Sequence, residues 1–274
     1  MIGCGIDAGS RAMKIVLIDG EGDRVIATGY ADQIPDQARL ALELLEETAA
    51  KAGLATKNIG RIVGTGYGRQ LLSGADATVT EITCQARGVR SLLPEVRSII
   101  DIGGQDSKVI FLDGSGVRDF AMNDRCAAGA GQYLEMTARR FNVSLPELGH
   151  LASFSRSPAI INSMCAVFAE TEIVSLLASG AGTEDISAGV FRSIAKRVAG
   201  LAGLRLDSPV AFTGGTALIP GMGKFLAEAL GQALVVVPDP RTSAARGAAL
   251  IACGQMRSGG PGPKNEPRLE EKIR

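Results

Sequence analysis

The sequence predicts an α/β protein built from two related halves, and three observations carry that expectation. First, one strand–turn–strand motif occurs twice. Ile6-Asp-Ala-Gly-Ser-Arg-Ala-Met-Lys-Ile-Val-Leu-Ile-Asp-Gly20 aligns without a gap on Ile100-Asp-Ile-Gly-Gly-Gln-Asp-Ser-Lys-Val-Ile-Phe-Leu-Asp-Gly114, at a constant offset of 94 residues. Ile6/Ile100, Asp7/Asp101, Gly9/Gly103, Lys14/Lys108, Asp19/Asp113 and Gly20/Gly114 are identical, and the apolar residues after each Lys match in kind. Second, short apolar runs alternate with stretches of helical period along the chain, as in mixed strand-and-helix proteins. Third, 35 of the 274 residues are Gly, which predicts many tight turns and close approaches of backbone to a ligand.

Each element has its own signal. Both copies of the repeat read as strand, Gly-containing turn, strand and a second turn at Asp-Gly. Gln37 to Ala52 is a predicted helix with Leu40, Leu42, Leu44 and Leu45 on or near one face. Arg61-Ile-Val-Gly-Thr-Gly-Tyr-Gly reads as a strand running into a glycine loop. Helices are expected over 124–141, 165–179 and 186–202. Pro209-Val-Ala-Phe-Thr-Gly-Gly-Thr-Ala reads as a strand ending at a Gly pair before a helix. Leu234-Val-Val-Val is a last core strand, followed by a helix from Ser243 to Gln255. The expected organisation is a first lobe over 1–95, a second over 96–257 and a flexible tail over 258–274. The helix near 243–255 is a candidate for return to the first lobe.

Composition removes several function classes. Lys plus Arg equals Asp plus Glu, 29 against 29, so no global field recruits nucleic acid or an anionic membrane. Aromatics are 4% with no Trp, which argues against a base-stacking platform. The apolar content of 46% suffices for a core without staples. No apolar run reaches the ~18 residues of a membrane span, and the start lacks a signal-peptide layout. A cytoplasmic protein is expected, in which the five cysteines stay reduced.

An Asp-x-Gly turn between two strands offers backbone N–H groups to phosphate and a carboxylate to hold Mg²⁺ through water. Singly such a turn is weak evidence. Two matched turns together with the late Gly214-Gly215 pair are more specific. Lys14 and Lys108, on the return strands, either neutralise phosphate charge or are solvated strand lysines. No Gly-x-x-x-x-Gly-Lys-Ser/Thr pattern occurs, which excludes a P-loop NTPase. This arrangement resembles the actin, hexokinase and Hsp70 ATPases, and the resemblance implies a duplicated ribonuclease-H-like, actin/hexokinase-type α/β fold with two lobes around a nucleotide cleft. It places Asp7 and Gly9 at the first phosphate loop and Asp101, Gly103 and Gly104 at the second; Ser10, Arg11, Lys14 and Gln105 are further candidates for nucleotide contact beside them. Gly214 and Gly215 fall in the adenosine loop.

Cys126 lies in Met122-Asn-Asp-Arg-Cys-Ala-Ala-Gly-Ala-Gly-Gln, and Cys165 in Asn162-Ser-Met-Cys-Ala-Val-Phe. Both sit at the entry to a predicted helix, where thiolates are favoured. Buried structural cysteines are the common case. Two cysteines cannot complete the four thiolates of an iron–sulfur cube, but a twofold dimer would supply four. These two segments, with Ile-Asp-Ile-Gly-Gly-Gln-Asp-Ser-Lys108 and Thr-Gly-Tyr-Gly-Arg69, resemble the activators of 2-hydroxyacyl-CoA dehydratases, which belong with the ATPase subunits of benzoyl-CoA reductase. The likeness spans about residues 3 to 255. It implies one oxygen-sensitive [4Fe–4S] cluster per homodimer, or per pair of related subunits, held through Cys126 and Cys165, and ATP-driven transfer of one low-potential electron to a client enzyme.

By that resemblance ferredoxin or flavodoxin is the electron donor. The chemistry of the two turns has Asp7 and Asp101 hold Mg²⁺ through water, and Gln105 is the candidate to orient the attacking water, with Asp106 the alternative. The sequence departs from the family at Arg11-Ala-Met, where relatives carry small residues, and at Gln85, where they commonly carry His. Cys4, Cys84 and Cys253 are expected in the core and His150 at the surface. Two rivals stand beside this reading: the ATPase subunit of a benzoyl-CoA-type reductase and a small-molecule kinase of the same superfamily. A nucleotide-regulated scaffold with no redox role is a third.

Overall fold

The computed structural model describes residues 1–21, 23–123, 131–162, 166–203 and 206–257. The predicted tail over 258–274 and both candidate cluster cysteines, Cys126 and Cys165, lie outside the described residues. The chain forms two compact units, one of Met1–Pro94 with the residues from Arg241 on, the other of Glu95–Pro240. The second unit thus ends at Pro240, and the last helix is part of the first.

In the first unit, strands β1 (Ile2–Ala8), β2 (Ala12–Asp19), β3 (Arg24–Asp32), β4 (Ile59–Thr65) and β5 (Ala77–Thr78) form one sheet. Their order is β3-β2-β1-β4-β5. β1 pairs antiparallel with β2 and parallel with β4, which is reached through helix α1 (Gln37–Lys51). α1 starts where Asp36 accepts a hydrogen bond from the Arg39 N–H, the usual way to satisfy a free first-turn donor.

The alternation of β2 sorts its side chains to two cores. Met13, Ile15 and Leu17 pack with Ile6 and with Leu40, Leu44 and Leu45 of α1. Val16 and Ile18 face helix α8 (Ser243–Arg257) through Ala245 and Ala249. Covered on both faces, the strand reads as a continuous apolar run. Small residues bring α8 close: a Cβ on Gly5 of β1 would lie 2.9 Å from the Ala248 Cβ and overlap the backbone of Ala245 and Ala249. Helix α2 (Glu81–Arg90) packs beside α8, with Gly88 and Gly247 at their contact.

The second unit repeats the plan. Strands β6 (Ser98–Ile102), β7 (Ser107–Asp113), β8 (Gly116–Met122), β9 (Val210–Thr213) and β10 (Leu234–Val236) are ordered β10-β9-β6-β7-β8. β6 pairs antiparallel with β7 and parallel with β9. Where α1 and a short 3₁₀ turn at Thr56–Asn58 join β3 to β4, the described residues here include four helices: α3 (Gly131–Phe141), α4 (Leu145–Phe154), α5 (Ala166–Ala178) and α6 (Thr183–Ala202). α7 (Met222–Leu230) follows β9. Ile100, Ile102, Val109 and Phe111 of the sheet pack with Tyr133, Leu134, Phe191 and Ile194 in one core.

Besides helix α2 and the two-residue β5, three elements went unread in the sequence. β3 and β8 are outer strands with largely exposed side chains, so neither carries the apolar run that marked their neighbours. α4 begins at a reciprocal cap, in which the Ser144 hydroxyl accepts from the Glu147 N–H and Glu147 accepts from the Ser144 N–H at 2.7 Å. Its Ser-x-x-Glu spacing is legible as a helix start. His150 is exposed on α4, as expected.

Candidate functional site

The two copies of the repeat end at two chemically similar corners. In the first unit Asp7 stands in register with Lys14 of β2, and the Lys14 ammonium lies 3.0 Å from Asp7 Oδ2. The carboxylate is buried, and its other oxygen, Oδ1, has no hydrogen-bond partner. A buried acceptor left unpaired costs about 1–3 kcal/mol, so Asp7 Oδ1 is a position prepared for a donor. A hydrated Mg²⁺ is such a donor, and the corner fits it on that ground.

In the second unit Asp101 stands in register with Lys108. The Lys108 side chain is 3% exposed and lies 3.6 Å from Asp101 Oδ2 and 2.9 Å from Asp106 Oδ2. Neither lysine is a solvated strand residue. Asp106 is bound to Lys108, whereas Gln105 is exposed at the turn. The Gly103 N–H donates to the Asp106 carbonyl at 3.0 Å and closes the turn. The first two N–H groups of α3, those of Gly131 and Gln132, donate to the carbonyls of Gly103 and Gly104 at 2.8 Å each.

A second repetition escaped the sequence reading. Thr65 ends β4 in register with Asp7, and Thr213 ends β9 in register with Asp101. Each Thr is followed by a glycine in the left-handed region, Gly66 at φ +88° and Gly214 at φ +89°. A Cβ on Gly66 would overlap Asp7 Oδ1, and one on Gly214 would lie 2.6 Å from Asp101 Oδ1. Glycine is thus required twice over, by conformation and by the adjacent carboxylate. The Thr-Gly pair after each strand was the available signal. Its spacing is 148 residues rather than 94, because of the helices inserted in the second unit.

Gly215 is open, with nothing within 4 Å of a Cβ placed on it. Arg11 is half exposed and pairs with Asp32 of β3 at 3.2 Å. Gln33, unremarked in the sequence, donates from Nε2 to the Gly9 carbonyl at 2.7 Å.

Cys4, Cys84 and Cys253 are buried in the first unit and form no disulfide. Burial pushes the Cys84 thiol up to about 12 against a lesser opposing pull from a hydrogen bond with Thr65, and pushes Cys4 higher still. Both stay protonated at neutral pH and unreactive. In native protein at pH 8, Cys4, Cys84 and Cys253 are expected to resist iodoacetamide for hours and to be labelled once urea unfolds the chain. Peptide mapping checks this, and labelling of Cys84 in folded protein would refute it. Gln85, where the family commonly has His, is buried and hydrogen-bonded to the Ser243 hydroxyl at 3.1 Å. Among the described residues no three His, Cys, Asp or Glu side chains are grouped to hold a metal ion. None of their helices is long and apolar enough to cross a membrane.

Two five-stranded sheets of one strand order, each with an Asp-Gly turn and a lysine-bound aspartate, define a duplicated ATPase fold of the actin/hexokinase type. The chain belongs to the BadF/BadG/BcrA/BcrD ATPase family, which it matches over residues 4–252. It is 39% identical to the 2-hydroxyisocaproyl-CoA dehydratase activator of Clostridioides difficile, over 95% of this chain and 98% of that one. It is 41% identical to the activator of lactoyl-CoA dehydratase of Anaerotignum propionicum, over 90% and 96% of the two chains. A solved structure of the activator of the 2-hydroxyisocaproyl-CoA dehydratase from Clostridium difficile, with bound ADPNP, superimposes with a TM-score of 0.88 at 38% identity. That match covers 97% of this chain and 100% of the other.

Proposed function

We propose that the protein is an ATP-dependent, one-electron activator of a 2-hydroxyacyl-CoA dehydratase. In this reading Asp7 and Asp101 hold Mg²⁺ through water, and the N–H groups about Gly9, Ser10, Gly103 and Gly104 take phosphate oxygens. Lys14 and Lys108 hold the two aspartates in place and offset phosphate charge. Gln105, exposed and not committed to Lys108 as Asp106 is, orients the attacking water. Gly66 and Gly214 leave room beside the two carboxylates. The similarity to an activator that binds ADPNP supports the nucleotide assignment.

Cys126 and Cys165 of two copies supply four thiolates to one [4Fe–4S] cluster in a homodimer, with a ferredoxin or flavodoxin as reductant. A bound cluster supplies a one-electron carrier of low potential. Three large apolar side chains near Cys165 in the chain, Phe154, Ile160 and Phe168, are 75%, 76% and 70% exposed, which supports a surface covered by a second copy.

One observation carries the coupling. The Gly131 and Gln132 N–H groups are bonded to the carbonyls of the Gly103-Gly104 turn, and Cys126 lies five residues before Gly131 in the chain. A turn that shifts on binding phosphate therefore pulls directly on the start of α3. Iron, sulfide and EPR on anaerobically purified protein test the reading. About four irons per two chains are expected, with a reduced-cluster signal that changes shape when ATP is added. Cys126→Ala and Cys165→Ala should each abolish iron binding while leaving nucleotide binding intact. Protein that stays iron-free after anaerobic reconstitution, yet hydrolyses ATP, would overturn the electron-transfer role.

A further inference from the structure

We infer that Gln33 is the positioning residue of the first Asp-x-Gly turn, that of Asp7 and Gly9, fixing the direction in which its backbone N–H groups point; the consequence for nucleotide rests on the ATP-binding reading above. Gln33 follows β3 directly and lies across the turn. Its Nε2 donates to the Gly9 carbonyl at 2.7 Å, and its backbone N–H donates to the Arg11 carbonyl at 3.1 Å. In a planar trans peptide the C=O and the following N–H point in opposite directions. Holding the Gly9 carbonyl toward Gln33 therefore turns the Ser10 N–H away from it.

The second unit does the same thing with different atoms. Gly103 is the counterpart of Gly9 in the repeat. Its carbonyl accepts from the Gly131 N–H at 2.8 Å, and Gly131, like Gln33, comes after the third strand of its sheet. A helix start holds the second turn, and a glutamine side chain holds the first. The other amide atom of Gln33, Oε1, is buried without a partner. Its desolvation offsets the gain from the single donor bond, so Gln33 adds little net stability. Its contribution is the geometry of the turn.

The test uses full-length protein and two readouts. In the nucleotide-free state, Gln33→Met is expected to speed amide hydrogen exchange across residues 9–12 by about 3- to 10-fold, the worth of one net hydrogen bond. The thermal midpoint should stay unchanged. In calorimetric titration with Mg²⁺ and ADP, the Kd of the variant should rise by a similar factor. Gln33→Glu keeps the shape but cannot donate, and its exchange should match that of Gln33→Met. Gln37→Met, whose parent side chain rests on Gly68 rather than Gly9, should leave both readouts at wild-type values. Wild-type exchange at residues 9–12 in Gln33→Met overturns the inference. A wild-type protein that binds no ADP overturns the ATP-binding reading instead, and the exchange measurement still decides the role of Gln33.

Discussion

Lys108→Met is expected to lower the stability of the protein by about 3–5 kcal/mol, the range for removing one partner of a buried ion pair. The reason is the arrangement around the ammonium. Lys108 is 3% exposed with Asp101 Oδ2 at 3.6 Å and Asp106 Oδ2 at 2.9 Å, so its loss leaves two carboxylates without their cation. Lys14→Met in the first unit serves as the internal comparison. Lys14 is 18% exposed and lies 3.0 Å from Asp7 Oδ2. Its loss should cost clearly less, because water can reach the corner. Chemical denaturation of both variants reads the difference, and ATP hydrolysis should fall in both. Equal midpoints for the two variants would mean that Asp106 contributes nothing to holding Lys108.

Gly247→Val is expected to prevent the first unit from folding, or to destabilise it by more than about 3 kcal/mol, the upper end of the overpacking range. The α2 and α8 backbones touch at this glycine: a Cβ on Gly247 would lie 2.6 Å from the Cys84 carbonyl carbon and overlap its oxygen. Gly88 makes the reciprocal contact, with a Cβ 2.9 Å from the Ser243 carbonyl carbon. Backbone cannot swing aside as a side chain can, so the two helices must separate. Gly254 of the same helix provides the contrast. A Cβ there meets nothing within 4 Å, and Gly254→Ala should stabilise α8 by up to about 1 kcal/mol through helix propensity. Soluble yield and urea midpoints decide. A folded Gly247→Val of wild-type midpoint would refute the close crossing.

The sequence made the centre of each sheet legible, because β1, β2, β6 and β7 are buried on both faces and carry the 94-residue repeat. The carboxylates were legible for the same reason: Asp7 and Asp101 occupy matched positions at strand ends. What stayed hidden depends on partners distant in the chain. Nothing near Gly66 tells that its Cα lies against Asp7, fifty-nine residues earlier, and only the register of β1 with β4 brings them together. Gln33 belongs to the site because β3 runs back along β2 to the turn, and β3 is exposed enough to have escaped a reading based on apolar runs. Asp106 read as a loop residue suited to catalysis. Its commitment to Lys108 follows from the hairpin geometry, which places both near the same corner.

The path of the chain bears on the order in which the molecule can be made. The second unit is a single continuous stretch, Glu95–Pro240, while the first needs α8, which comes after it. On a ribosome the N-terminal strands emerge first, yet the core around Val16, Ile18, Val63 and Cys84 lacks Ala245, Ala248 and Ala249 until synthesis reaches them. Domains fold as units during synthesis. The later-translated unit is therefore the first to complete its core, and the earlier one waits with an apolar sheet face uncovered. That waiting face is where nascent-chain chaperones would bind, and release of a chain stopped at Pro240 should yield one folded unit joined to an unfolded one.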